Sequence, residues 1–183
     1  MEKIIIISGN SGAGKTTIAK ILVSQMPNLK KILTCTTRQK RLSEIDGVDY
    51  KFVSEEQFRN YIKNDELNEY ENYAGNYYGS LRSDVVNLIN SDKIPLFVVE
   101  TKGALSLRDK FFDSVTIFVK APSMDKLEQR LRDRGDSEES IKIRLNEIKN
   151  ESLREKEFDY IIINDKLEDA INNIKKIILA ETA

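Results

Sequence analysis

Short apolar runs alternate with helical patterns along most of the chain. Residues 3–8 (KIIIIS) carry four successive isoleucines, the mark of a strand buried on both faces. Residues 15–26 (KTTIAKILVSQM) repeat apolar positions at helical spacing and stop at Pro27. Residues 30–37 (KKILTCTT) predict a second strand. Residues 95–100 (PLFVVE), 114–120 (SVTIFVK) and 159–164 (DYIIIN) predict three more. Helical patterns fill most gaps, and a last helix is expected over about 167–181. Such alternation predicts an α/β fold, a parallel sheet with helices on both faces.

Two stretches break the rhythm. From about 38 to 82 the chain shows polar turns, short strands (DYKFV, LNEYENY) and a helix opened by the capping box SEEQ at 54–57. GNYYGS at 75–80 reads as a turn into another short strand. This is a small mixed insertion in the larger domain. The second stretch, 128–148, predicts two amphipathic helices joined by a glycine-containing, arginine-rich turn. Ser123 and either Asp136 or Ser137 are candidate N-caps. There is no repeat, low-complexity tract or disordered linker.

Composition narrows the chemistry. A chain of 183 residues fits one domain with a sizeable core. Acidic and basic residues balance to a formal net charge of −1, so no basic footprint for nucleic acid is expected. The isoleucine run is too short for a signal peptide or a membrane span, so no membrane association is expected. The lone Cys35 allows no internal disulfide, reads as a core residue, and makes the cytoplasm the expected compartment. With no histidine, a Ser-His-Asp triad and a histidine-based metal site are both impossible.

Candidate chemistry begins at SGNSGAGKT, residues 8–16. Gly9 and the block Gly14-Lys15-Thr16 satisfy the phosphate-loop pattern between a predicted strand and a predicted helix. Backbone N–H groups of Gly9, Asn10, Ser11, Gly12, Ala13 and Gly14, with Thr17 in the first turn, would cradle phosphates at a helix N-terminus. Lys15 is expected to bridge the β- and γ-phosphates of ATP, and Thr16 to ligate Mg²⁺. The loop leaves the reaction open, since GTPases, ATPases and small-molecule kinases share it.

The acceptor side is read from two further stretches. Arg38 and Arg41 stand past the second predicted strand, where paired guanidiniums suit a second phosphate; a solvated charged loop is the alternative. In EYENYAGNYYGS (69–80), the tyrosines could simply pack a hairpin. Alternatively, Glu69 and a hydroxyl such as Ser80 could read guanine, whose N1–H and N2–H₂ suit a carboxylate and whose O6 suits a hydroxyl.

The stretches SGNSGAGKTT, TTRQKR with its following E..G.DY.FVS.E.F, GNYYGS, RLRDRG with EES and RL, and DYIIIND stand in the order seen in guanylate kinases. The chain resembles that family over nearly all of residues 3–181. The resemblance implies a phosphate-loop nucleoside monophosphate kinase with a five-stranded parallel core (1–33, 83–120 and 150–183). It also implies an acceptor-binding insertion (34–82), a helical lid (121–149), and Mg²⁺-dependent phosphoryl transfer from ATP to GMP. It further implies that Thr34, Glu69 and Ser80 hold guanine and that Arg38, Arg41, Tyr50 and Tyr78 hold the GMP phosphate. Arg134 and Arg144 would reach the transferring group from the lid, and Asn164 would lie near the adenine. Lys15, Arg38, Arg134 and Arg144 form the expected catalytic set. Small-molecule nucleotides are the expected partners of a monomer or homodimer.

The sequence departs from the family pattern at VETKG (99–103). Glu100 stands where the family has Asp, Lys102 where it has Gln, and Val98 where an acidic residue is common. Glu100 is expected to keep the Asp role toward GMP or Mg²⁺ waters, with Lys102 neutralising it or meeting a phosphate. Two other readings compete. A related kinase acting on a ribose phosphate would leave Glu69 and Ser80 without a base to read. A non-catalytic guanylate-kinase-like binding module would typically have lost Lys15, Thr16, Arg134 and Arg144, all present here.

Overall fold

The computed structural model describes residues 3–91 and 93–183. β1 (Ile4–Gly9) is buried along its whole length. Ile5 and Ile7 enter one apolar cluster and Ile4 and Ile6 another, which is why the run shows no polar alternation. Residues 10–14 turn the chain into α1 (Lys15–Gln25), which buries Ile18, Ala19 and Leu22 against Ile5 and Ile7.

β2 (Leu29–Lys31) is an edge of the central sheet, and the chain then changes sheets. The Ile32 N–H still donates to Leu96 O at 2.8 Å, but β3 (Thr34–Thr36) pairs elsewhere. The single strand expected over 30–37 is therefore two strands in two sheets. Leu29, Ile32 and Cys35 are all buried, so apolarity runs through the switch and does not mark it.

β4 (Lys51–Phe52), α2 (Glu55–Lys63), β5 (Leu67–Tyr73) and β6 (Asn76–Leu81) complete a smaller sheet of order β4-β3-β6-β5. Ser54 caps α2 by accepting from the Gln57 N–H at 3.1 Å. Phe58 of α2 stacks on Tyr77 and packs with Cys35, Leu67 and Leu81 in a core separate from that of the large sheet. Burial pushes the Cys35 thiol up to about 11, so it stays a neutral core group.

α3 (Arg82–Ile89), β7 (Ile94–Val98), α4 (Thr101–Lys110) and β8 (Ser114–Lys120) return the chain to the large sheet. α5 (Met124–Asp133) and α6 (Glu138–Arg154) form a helical hairpin around Leu127, Leu131, Ile141 and Ile148. Both helices extend beyond the expected 128–148. Ser123 and Ser137 are the N-caps, accepting from Lys126 and Ser140 N–H groups. Asp136 is not a cap. A 3₁₀ turn (Glu155–Glu157), β9 (Tyr160–Ile163) and α7 (Leu167–Glu181) end the chain.

The large sheet is five-stranded and parallel, of order β2-β7-β1-β8-β9. β1 lies at its centre, so the carboxyl ends of β1, β7 and β8 share one rim, where open α/β sheets bind ligands. Among the described residues no helix is long and apolar enough to cross a membrane.

Candidate active site

Gly9 ends β1 with φ of 133°, and a Cβ there would sit 1.8 Å from Val119 O, so only glycine lets the loop leave between β1 and β8. The Asn10 N–H donates to Val119 O at 3.2 Å and the Ala13 N–H to Asn10 O at 3.0 Å. The Asn164 side chain, just past β9, donates to Ala13 O at 2.7 Å and braces the loop from outside. Lys15 opens α1 and folds back over this arch. Its ammonium donates to Gly9 O, to Asn10 O at 3.3 Å and to Glu100 at 3.1 Å. Burial pulls the ammonium down, but Glu100 and Glu151 outweigh it and hold Lys15 above its ordinary pKa, fully charged.

A cleft of about 500 Å³ runs from this loop. Gly12, Lys15, Thr16, Asn164, Arg38, Arg41, Tyr50 and Tyr78 all line it. Arg134 and Arg144 of the helical hairpin border it, together with Glu100. Tyr50 and Tyr78 meet edge to face with ring centroids 6.4 Å apart, and the Arg38 guanidinium lies 5.4 Å from the Tyr50 ring.

The cleft's cations are already partnered. Glu44 accepts from Arg38 at 2.8 and 3.0 Å in bidentate form, and from the Arg41 backbone N–H at 2.8 Å. Its second bond to Arg41 comes from the guanidinium, at 3.3 Å. Asp136 accepts from Arg134 Nε at 3.1 Å and pairs with Arg144 Nε at 3.2 Å. Arg144 also donates to Ser11 Oγ at 2.8 Å, linking the hairpin to the phosphate loop. Arg130 donates to Asn164 O at 2.9 Å. Glu44, Arg130 and Asp136 were not singled out from the sequence as site residues. The available signal for Glu44 was its position three residues after Arg41.

Thr34, Glu69 and Ser80 stand on three neighbouring strands of the smaller sheet and are not among the residues lining this cleft. Thr34 faces Ser80 across β3 and β6, and Ser80 faces Glu69 across β6 and β5. All three are buried. Among the described residues Glu69 Oε1 and Ser80 Oγ have no hydrogen-bond partner. Burial pushes the Glu69 carboxyl up to about 7. Gly103 in α4 makes room for it, since a Cβ there would lie 2.9 Å from Glu69 Oε2. The glycine of VETKG thus has a steric role that the sequence reading did not assign.

Glu100 faces Lys15, so neutralisation by Lys102 is corrected. Lys102 lines a smaller crevice with Glu71, Tyr73 and Glu151. Burial pushes Glu71 and Glu151 each up to about 8. Glu151 also accepts from the Asn10 side chain at 3.2 Å.

A parallel α/β sheet with a phosphate loop at its rim and a second arginine cluster across the cleft defines a phosphate-loop kinase. A family model described as guanylate kinase matches residues 1–181. The chain is 41% identical over 179 residues to a guanylate kinase of Desulfitobacterium hafniense, covering 97% of this chain and 90% of the relative. It is 38% identical over 181 residues to one of Rickettsia prowazekii, covering 98% and 92%. A crystal structure of guanylate kinase from Anaplasma phagocytophilum superposes with a TM-score of 0.83 at 28% identity, covering 99% of this chain and 86% of that one. The chain belongs to the guanylate kinase family. Likeness to a shikimate kinase from Bacteroides thetaiotaomicron, TM-score 0.53 at 16% identity over 97% and 99% of the two chains, concerns the fold alone.

Proposed function

We propose that the chain transfers the γ-phosphoryl group of ATP to GMP, giving ADP and GDP. One observation carries the choice of acceptor: a buried carboxyl and a buried hydroxyl, Glu69 and Ser80, face each other across β5 and β6. Guanine presents two adjacent donors and one acceptor, which a carboxylate and a hydroxyl match. Adenine presents no such edge.

In this reading the residues 9–17 hold the ATP phosphates, with Asn164 near the adenine. Thr34, Glu69 and Ser80 read guanine, and Arg38, Arg41, Tyr50 and Tyr78 hold the acceptor phosphate. Lys15, Arg38, Arg134 and Arg144 surround the transferring group with positive charge. Phosphoryl transfer depends on positioning and charge neutralisation more than on a protein nucleophile. Packing of the helical hairpin over the cleft excludes water, so that the acceptor and not solvent is phosphorylated. The donor set suits Mg²⁺, because the Thr16 hydroxyl and the Glu100 carboxylate both line the cleft and are hard oxygen ligands. Bound there, the metal supplies further neutralisation of the phosphates. Lys15 and Glu100 hold each other in the free protein, so nucleotide binding must separate the pair.

An assay of ADP release with GMP, dGMP, AMP and ribose 1,5-bisphosphate tests this. GMP should exceed AMP in kcat/KM by at least about 10³-fold, since a site built for hydrogen bonding rejects a partner lacking them. Equal use of GMP and AMP would defeat the base assignment. Turnover of the ribose bisphosphate without GMP turnover would put the ribose-phosphate reading in its place.

A further inference from the structure

The turn between α5 and α6 concentrates charge in a way that phosphate binding alone does not explain. Arg134, Gly135 and Asp136 are fixed by backbone bonds from Arg134 to Arg130 O, from Gly135 to Arg132 O at 2.8 Å and from Asp136 to Leu131 O. The turn thereby sets one carboxylate against arginines that line the cleft. That carboxylate is buried, with 8% of its side chain exposed, and three guanidiniums converge on it. Arg134 forks onto both oxygens. Arg144 Nε lies 3.2 Å away, and Arg41 Nε, from the far side of the cleft, 3.9 Å away.

Arg41 reaches this carboxylate from a different element. It belongs to the smaller lobe and already bonds Glu44. Its contact with Asp136 therefore joins that lobe to the helical hairpin with no phosphate between them. Together Arg38, Arg41, Arg134 and Arg144 carry four positive charges, against two on Glu44 and Asp136. Arg144 is itself only 7% exposed on its side chain. Guanidiniums buried at this density need anions close by, or they repel one another and the hairpin lifts off. A carboxylate offers two oxygens in a plane that matches the guanidinium fork, as one face of a phosphoryl group does.

We infer that Asp136 is a positioning residue that stands in for a phosphate: it latches the hairpin onto the smaller lobe through Arg41 and hands its arginines to the nucleotide phosphates when they arrive. This rests on the kinase reading above and deepens it. The latch has two consequences of opposite sign. It keeps Arg134 and Arg144 aimed into the cleft, which favours the transfer step. It also competes with incoming phosphate for Arg41, which weakens acceptor binding. A merely structural ion pair would have only the first sign, since its loss would loosen the site and weaken binding too.

Asp136→Asn separates the cases. Three readouts are needed: hydrogen exchange of residues 121–154 in the nucleotide-free protein, calorimetric binding of GMP and of inorganic phosphate, and steady-state kinetics. The latch requires faster exchange in the free variant and restored protection once an ATP–GMP bisubstrate analogue is bound. It requires tighter binding of GMP and phosphate by about threefold or more, because a negative charge beside the anion site is gone. It also requires kcat to fall by about tenfold or more, because the arginines are no longer aimed. Asp136→Glu keeps the charge and should return exchange and binding toward wild type. Weaker GMP and phosphate binding in a folded Asp136→Asn protein overturns the proposal, as does unchanged exchange or unchanged kcat. Exchange and phosphate binding need no particular acceptor. A wild type that phosphorylates something other than GMP would therefore defeat the acceptor assignment while leaving the latch to stand or fall on those two arms.

Discussion

At the phosphate end of the cleft the cations already hold carboxylates: Lys15 on Glu100, Arg38 and Arg41 on Glu44, Arg134 and Arg144 on Asp136. At the base end, Glu69 Oε1 and Ser80 Oγ hold nothing among the described residues. The difference follows from what each end must wait for. A cluster of buried cations cannot stand without anions, so in the proposed reading protein carboxylates occupy the places that phosphates would take. A neutral purine edge has no such stand-in. A lone buried carboxylate instead lowers its own cost by keeping a proton, which is why Glu69 is pushed up to about 7. One end is guarded by counter-ions and the other by protonation.

The sharpest way to break the contrast is at Lys15. Lys15→Ala removes the one cation that sits on the phosphate loop itself, and should cost on the order of 10³-fold or more in kcat/KM, several kcal/mol of transition-state stabilisation. It also leaves the Glu100 carboxylate without the ammonium that donates to it at 3.1 Å. Near-wild-type turnover by a folded Lys15→Ala protein would remove the loop from the mechanism.

How the two ends were legible differs as much as how they are built. The phosphate loop is local: nine consecutive residues between an isoleucine run and a helix fix strand, turn and helix N-terminus together. The use of Asp136 was not legible, because a carboxylate in a charged turn reads as solvated until the fold brings guanidiniums from other elements against it; Glu44 pairs within its own loop, and only its spacing from Arg41 hinted at that. Arg41 and Asp136 are far apart in sequence, and only hairpin packing brings them to 3.9 Å. The break between β2 and β3 was hidden for a related reason. Leu29, Ile32 and Cys35 are buried without interruption, and pairing partners, not hydropathy, decide which sheet each joins. Glu69 and Ser80 were readable in the stretch 69–80 itself, and Thr34 came through family resemblance. Their adjacency needs the β5–β6 register, which the irregularity between Leu67 and Glu69 shifts beyond simple alternation.

A second prediction sharpens the base end. Glu69→Gln replaces an acceptor with a group that is half donor, so one guanine donor would face an amide N–H₂. The loss should be about 2–4 kcal/mol, expressed mainly as a higher KM for GMP. ATP binding in the absence of GMP should be unaffected, which calorimetry can check. If Glu69→Gln changes KM for ATP and GMP alike, the base end has no separate identity and the contrast fails.

The smallest expected effect tests the protonation guard directly. Glu69 ordinarily titrates near 4.5, and in the folded, nucleotide-free protein near 7. A carboxyl raised on folding binds protons more tightly in the folded than in the unfolded state. Its contribution to stability is therefore lost as pH rises from about 4.5 through 7, the opposite of a salt-bridged acid. Guanine binding runs the other way. Its two donors require the ionised carboxylate, so GMP must expel the proton below pH 7 and finds it already gone above. The GMP dissociation constant should accordingly be about tenfold larger at pH 6 than at pH 8, and level off above that. The GMP phosphate also titrates near this range, so the comparison is with Glu69→Gln, which shares the phosphate and the arginines but has no carboxyl to titrate. Subtracting its pH profile should leave a single proton released on binding in the wild type near pH 6. Parallel profiles for the two proteins would mean that Glu69 is already ionised before GMP arrives, and that the base end is guarded by something other than a proton.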